Sequence, residues 1–389
     1  MVSFRCLSSS VFCLFIFATS NAVSNALFSI ACAMLGICVV YQQMRYCKTK
    51  MTWPQKGVQV PYWLFFGLLL LASLILGDKK KKKKAFDFWY WSIPFWLVFF
   101  ACKNKEDEKS FYFGLAGSVL FVSLVSVYQF FLLPFGTPIK SLYGQHNHFS
   151  TMLVLNLPFL VMPLFKKQIL PQGCRNIVLL SAIMGCFSLL LTLSRGGIIG
   201  FILSGFITIF FLIVNKSIEI YKIKHLLMSL LLLTIIFSGA FCYINGGWTR
   251  GSDNERNLLL QSSYAMWQDH KLAGIGLGNW RQEYAKHYIL PQAKEPNLDM
   301  PHNNVAYFFS TTGILGGVGY LAFIVGVLTY LYKMIKKQPG NIFLQALLWS
   351  VLAITIHGMV DVGITFKAAF RLLSALMGFT MAFINLYDE

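Results

Sequence analysis

The sequence predicts an all-α polytopic membrane protein of about twelve transmembrane helices with one long, partly helical extracytoplasmic loop. Three observations predict it. Of 389 residues, 56% are apolar and only 12% charged, with mean hydropathy +0.61, far from the balance of a water-soluble chain. Apolar runs of roughly 17 to 25 residues recur, the length at which a helix crosses about 30 Å of hydrocarbon while satisfying its own backbone. The runs are continuous rather than alternating, which excludes a β-barrel.

Taken in order, the runs place spans at 4–20, 23–42, 61–77, 86–102, 111–133, 147–165, 176–193, 196–214, 226–244, 303–332, 342–360 and 367–386. The first two read as a short hairpin, although Val11 to Ala18 followed by TSNA also fits the apolar region and cleavage site of a signal peptide. The loops at 43–60, 103–110, 166–175, 215–225 and 333–341 carry sixteen basic residues, which assigns them to the cytoplasm. The opposite short loops carry Lys140, Lys367 and one exception, the run Lys79 to Lys84. Either the two spans flanking that run are shallow, or the lysines sit at the outer surface near anionic headgroups or phosphates; a solvated charge run with no specific ligand is the simplest reading. The formal charge of +18 is therefore a topology signal first. Basic residues dispersed over loops, without aromatic interleaving, argue against nucleic acid as a partner. The nine cysteines lie in or beside apolar spans and form no CxxC pattern or disulfide framework.

One connection is long, and it divides the chain into helices 1–9 over residues 1–244, a loop domain over 245–302 and helices 10–12 over 303–389. Three tryptophans (Trp248, Trp267, Trp280) and three tyrosines (Tyr264, Tyr284, Tyr288) argue against a disordered loop. A helix is predicted from about Glu255 to His270, capped by Asp253 or Asn254, and a second from about Trp280 to Tyr288. GIGLGNW between them is not a dinucleotide fingerprint, because no strand precedes it. No internal repeat is visible, which weighs against a transporter built from inverted halves.

Ionisable groups at the edge of a span are costly and are functional hypotheses by default. Here they are Arg195 in LTLSRGG, Arg256 in the loop helix, His302 in PHNN, His146 and His148 in YGQHNHF, and His357, Asp361, Lys367 and Arg371 near the last two spans. Topology brings them to one face, where glycines beside Arg195 and at 313, 316, 317 and 319 allow close helix packing around a shared cavity. Each has a plainer reading: Arg195 as a partner of Asp361 or a snorkelling residue, Asn303 as a helix cap, His146 and His148 as interfacial polar groups. The three outer histidines 146, 148 and 302 lack metal-ligand spacing.

Four ordered segments, YGQHNHFSTMLVLNLPF, LTLSRGG, ERNLLLQSSYAMWQDHKLAGIGLGNWRQEY and PHNNVAYFFSTTGILGG, resemble the O-antigen ligase family, which shares its fold with O-antigen polymerases. They spread over residues 143–317. The resemblance implies a multi-pass enzyme of the bacterial inner membrane whose long loop is periplasmic. It implies an inverting glycosyl transfer, with no metal or other cofactor, in lipopolysaccharide biosynthesis. The donor would be a glycan on undecaprenyl pyrophosphate and the acceptor a hydroxyl of lipid A core oligosaccharide; membrane lipids surround both. By motif, His302 matches the catalytic histidine, and Arg195 and Arg256 match the arginines expected to hold the donor pyrophosphate. Asn303, His146, Asn147, His148, Asp269, Asp361 and Arg371 are candidate substrate-contacting residues.

The chemistry of the residue types agrees. A glycosyl pyrophosphate carries its own good leaving group, so catalysis needs cations for the departing diphosphate and a base for the incoming hydroxyl. Guanidinium forks suit phosphate oxygens, and His302 suits the base, with an adjacent guanidinium expected to favour its neutral form. A polymerase of the same fold, or a polysaccharide or lipid transporter, are the alternatives.

Overall fold

A computed structural model describes residues 2–21, 24–46, 53–77, 79–102, 104–165, 170, 172–215, 220–245, 251–294 and 298–387. It is 82% helix, with no strand among the described residues. The helices are α1 (Val2–Asn21), α2 (Asn25–Tyr46), α3 (Lys56–Ile75), α4 (Lys79–Trp91), α5 (Ile93–Ala101), α6 (Lys105–Leu132), α7 (His146–Val161), α8 (Gln172–Leu191), α9 (Arg195–Val214), α10 (Ile220–Asn245), α11 (Gly251–Asp269), α12 (Trp280–Glu283), α13 (Asn304–Lys337), α14 (Ile342–His357) and α15 (Lys367–Tyr387).

Among the described residues, eight helices are long and apolar enough to cross a membrane, and three shorter apolar helices, Leu7–Asn21, Leu227–Gly239 and Ile342–His357, lie beside them. The span expected at 86–102 is instead two pieces, because α4 ends at Trp91 and α5 restarts with Pro94 in its first turn. Buried α15 lies at the centre: its Lys367–Ile384 stretch is 94% buried, where the hairpin helix α2 is 28% buried. Phe379 stacks on Phe111 of α6 at 3.5 Å and packs edge-on to Phe343 of α14, so one aromatic ladder ties the central helix to two neighbours.

The side chains of Lys79 to Lys83 lie outside the described residues. Lys84 is exposed, and a Cβ at Gly278 in the loop domain would lie 3.3 Å from its Cε, so the lysine run starts a helix on the face that carries the loop. The loop itself has a small core of Leu259, Met266, Ile275, Trp280 and Tyr284. Trp280 stacks on Tyr284 at 4.8 Å and donates to Ser263 Oγ at 3.1 Å. The helix expected from Glu255 begins at Gly251, and the second short helix is an α-turn followed by a π-turn over Tyr284–Tyr288.

The span expected to run unbroken over 303–332 does not. Gly313 takes φ 62° and ψ −158°, and the chain folds back on itself there. Asn304 Nδ2 donates to Tyr320 Oη at 3.1 Å, and Phe308 stacks on Tyr320 at 4.6 Å. In a straight helix Asn304 and Tyr320 would stand about 24 Å apart. The break exposes helix-end carbonyls and amides, and the loop domain satisfies them: Ile275 N and Gly276 N donate to the Ser310 and Thr311 carbonyls, while Ile314 N donates to Lys271 O at 2.7 Å and Leu315 N to Leu272 O. Gly274 meets the same backbone closely with φ 66°. This hairpin couples loop to membrane helices and sets the start of α13, with His302, well below the tip.

Only glycine adopts the Gly313 conformation without strain, and a Cβ there would collide with the Leu272 backbone. Gly313→Ala is expected to cost at least about 1–3 kcal/mol from backbone strain alone. Thermal unfolding of purified protein would show it as a lowered Tm or as loss of monodisperse protein; an unchanged Tm would remove the hairpin's need for glycine. Farther along, Gly319 lies against Leu68 and Gly326 against Pro61 of α3, and these two glycines form the close-packing seam.

Candidate active site

The LTLSRGG segment turns because Leu193 takes φ 49° and Ser194 Oγ caps α9 by accepting from Gly197 N at 3.4 Å. This puts Arg195 at the first helical position on the loop face. The glycines after it let α9 lie directly on α14: a Cβ at Gly196 would come within 3.0 Å of His357, and one at Gly200 within 3.0 Å of the Ala353 carbonyl. The first turn of α7 supplies His146 and Asn147 to the same cleft, and the 358–361 turn after α14 supplies Val360 and Asp361. Arg256 enters from α11. The cleft has a volume of about 20 Å³, on the order of one water.

His302 stands at the edge of this cleft, joined to it through Asp361. Its Nδ1 bonds Asp361 Oδ1 at 3.1 Å, and its backbone has φ 51°, a left-handed conformation uncommon for a side-chain-bearing residue. Asn303 holds it there: the Asn303 amide oxygen caps α13 by accepting from Ala306 N at 3.0 Å, and Nδ2 donates to the Met359 carbonyl at 2.9 Å. Both ends of that side chain are thus used in the architecture. Asn304 N adds a bond to Gly358 O at 2.7 Å. A sharp turn after α14 and the start of α13 are therefore one rigid unit with His302 between them.

Asp361 is buried, yet its carboxyl lies well below the usual carboxylate range. Burial pushes it up, but the His302 hydrogen bond, the nearby His357 and His302 imidazoles and a 2.7 Å bond from Val362 N push it further down. An ionised carboxylate only accepts, so His302 Nδ1 carries a proton, and whenever the ring is neutral Nε2 is its acceptor. Sequence reasoning expects a guanidinium next to His302; the partner the fold supplies is this carboxylate.

Arg195 does not pair with Asp361. It forms a two-pronged ion pair with Asp253 in the first turn of α11, Nη1 to Oδ2 at 2.9 Å and Nη2 to Oδ1. Arg256 Nη1 lies 4.0 Å from the same Oδ1. Burial and the Arg195 charge lower the Arg256 pKa while Asp361 and Asp253 oppose that, so like charges are held close. Asp253, expected only as a helix cap, is an internal anion set between two arginines. An acidic residue three before the loop arginine was the available signal. Asp253→Asn is expected to lower the donor KM several-fold, because the donor would no longer compete with an internal carboxylate; an unchanged or raised KM in steady-state kinetics would show that Asp253 positions the arginines instead.

His148 stacks face to face on Phe366 at 4.2 Å and stays within electrostatic reach of Asp361 and His302. Two other sequence candidates fall elsewhere. Asp269 is thirteen residues along α11 from Arg256, about 20 Å of helix, and accepts from the Tyr288 hydroxyl at 2.8 Å. Arg371 faces a different cavity, between α1, α2 and α15. No group of three His, Cys, Asp or Glu side chains among the described residues is placed to hold a metal ion.

Residues 179–321, which contain Arg195, Asp253, Arg256, His302 and the Gly313 hairpin, match the family model described as O-antigen ligase. The match covers 143 of the 389 residues and supports an O-antigen ligase family assignment. A comparison with curated proteins finds no match. The O-antigen ligase match ends at 321, so Asp361, which orients His302, comes from beyond the matched segment.

Proposed function

We propose that this protein is an O-antigen ligase proper, acting at the periplasmic face of the bacterial inner membrane. It transfers a polysaccharide from undecaprenyl pyrophosphate to a hydroxyl of lipid A core. His302 Nε2 takes the proton of the acceptor hydroxyl as its oxygen attacks the anomeric carbon. The bond from that carbon to the diphosphate oxygen breaks on the opposite side, so configuration inverts. Both electrons leave with the undecaprenyl diphosphate, whose charge Arg195 and Arg256 receive. The products are the glycosylated acceptor, the lipid diphosphate and a proton on His302.

The observation that carries this reading is the His302–Asp361 hydrogen bond at the edge of a cleft lined by Arg195 and Arg256. A base with a fixed tautomer stands beside a cationic anion-binding site, which is what transfer from a glycosyl diphosphate requires. No step needs a Lewis acid, because the two guanidiniums and the ready leaving group serve that role. Transfer in excess chelator is therefore expected to equal transfer without it, and collapse on chelation, restored by added divalent metal, would overturn the metal-free mechanism.

Deleting the gene tests ligase against polymerase. Loss of every polymer-bearing lipopolysaccharide band, with lipid-linked polymer accumulating, is the expected result. Survival of single-repeat bands would assign the chain to polymerisation instead.

A further inference from the structure

A second cationic cavity lies on the loop face, outside the site just described. It has a volume of about 120 Å³ and is lined by Thr19, Asn25, Phe28, Phe366, Lys367 and Arg371, among others. Arg371 is 5% exposed. Its Nη1 donates to Asn25 Oδ1 at 3.3 Å, its guanidinium lies 3.8 Å from the centre of the Phe28 ring, and its buried Nε has no hydrogen-bond partner. Among the described residues, no carboxylate forms an ion pair with it.

A buried charge without a carboxylate partner costs several kcal/mol, and the Asn25 amide, the Phe28 ring face and the Tyr90 side chain only partly offset that. Lys367 stands one turn before Arg371 on α15, lines the same cavity and feels its charge. Like charges at this spacing destabilise a helix, and among the described residues Asp87 of α4 is the acid that counters Lys367. Two cations lining one cavity, one of them with a buried Nε that has no hydrogen-bond partner, form a site built for an anion. Apolar Phe28, Ala18 and Ala368 on its walls suit an anion joined to a lipid. The ring of Phe366 separates this cavity from His148 and the cleft beyond, since it lines one and stacks on the other. The helix α4, which carries Asp87, begins with the lysine run, about 12 Å of helix before Asp87.

We propose that the Arg371–Lys367–Asn25 cavity binds the phosphate group of a membrane lipid headgroup. Arg371 supplies the buried fork, Lys367 a mobile point charge at the mouth, and Asn25 holds the fork in place. The site does not depend on the chemistry assigned to His302, and its test needs no transfer.

The test is binding of short-chain phosphatidic acid to the purified full-length protein in neutral detergent, read by native mass spectrometry. Inorganic phosphate and short-chain diacylglycerol serve as the two comparison probes. Retention of phosphatidic acid but not diacylglycerol is expected, with at least a tenfold loss in Arg371→Met and a smaller loss in Lys367→Gln. Displacement by an equal concentration of inorganic phosphate would show that the cavity takes phosphate as such, and would overturn the assignment to a lipid. Diacylglycerol binding as well as phosphatidic acid, or unchanged binding in both variants, overturns the anion site altogether. A purely structural arginine would show as a lowered Tm in Arg371→Met with lipid retention intact in Lys367→Gln, and that pair of results also counts against the proposal.

Discussion

Transfer by His302→Ala is expected to fall about 10²- to 10⁴-fold at normal protein levels, the range for removing a positioned general base. The hairpin at Gly313 and the Asn303 bonds hold the backbone at this position, so truncating the imidazole leaves the local fold in place. Asp361→Asn offers the sharper comparison. An amide that turns its NH₂ toward Nδ1 favours the tautomer with the proton on Nε2, which cannot take a proton from the acceptor. A large loss of kcat with little change in donor KM is expected, because Asp361 acts through His302. Equal activity in Asp361→Asn and the unsubstituted protein, in a purified transfer assay, would detach the carboxylate from catalysis.

Arg256→Lys is expected to lose about 10²- to 10³-fold in rate, close to the loss for Arg256→Ala, by analogy with removing a preorganised transition-state donor. The ammonium keeps the charge but not the planar fork that reaches two phosphate oxygens at once. Arg195 provides the contrast. It already makes a two-pronged contact to Asp253, showing that its geometry accommodates a bidentate oxyanion. The two arginines share that carboxylate, so their substitutions should couple: Arg195→Lys and Arg256→Lys together are expected to cost less than the product of the single losses. Wild-type rate in Arg256→Lys would reduce its role to bulk charge.

The cleft's small volume gives Asp253 a second meaning. At about 20 Å³ it holds about one water and is too small for a diphosphate as it stands. Asp253 lies in the first turn of α11, next to the undescribed residues 246–250 of the same connection. Under the proposed function, donor binding would trade one carboxylate–arginine contact for a phosphate–arginine contact, and the net gain in affinity would be a difference between two similar interactions.

Much of this was legible in the sequence, for physical reasons that differ by element. Long apolar runs report helices directly, so α3, α6, α8 and α9 appear within a few residues of their expected ends. Polar residues at span edges stand out against hydrocarbon, which is what singles out Arg195, His302 and Asp361 as candidates in the sequence. The hairpin was hidden because a glycine at helical spacing reads equally as a packing seam and as a reversal point. Only the bonds from Ile275, Gly276, Lys271 and Leu272, some forty residues away in the chain, decide between them. The same holds for the split of the fourth span, where Ser92 and Pro94 interrupt a run that looks continuous by hydropathy. The motif singles out His302 but does not pair it with Asp361, because an imidazole and a carboxylate 59 residues apart share no periodicity. The sequence places Arg371 on the same face as Asp361, and the Phe366 ring, which lines the Arg371 cavity and stacks on His148, stands between them.

Donor retention and single-turnover transfer, measured together on purified His302→Ala with undecaprenyl-pyrophosphate glycan and lipid A core, test the central claim most directly. Donor bound as tightly as by the unsubstituted protein, with no glycan passed to the acceptor, is the predicted result. Transfer at the unsubstituted rate would contradict it.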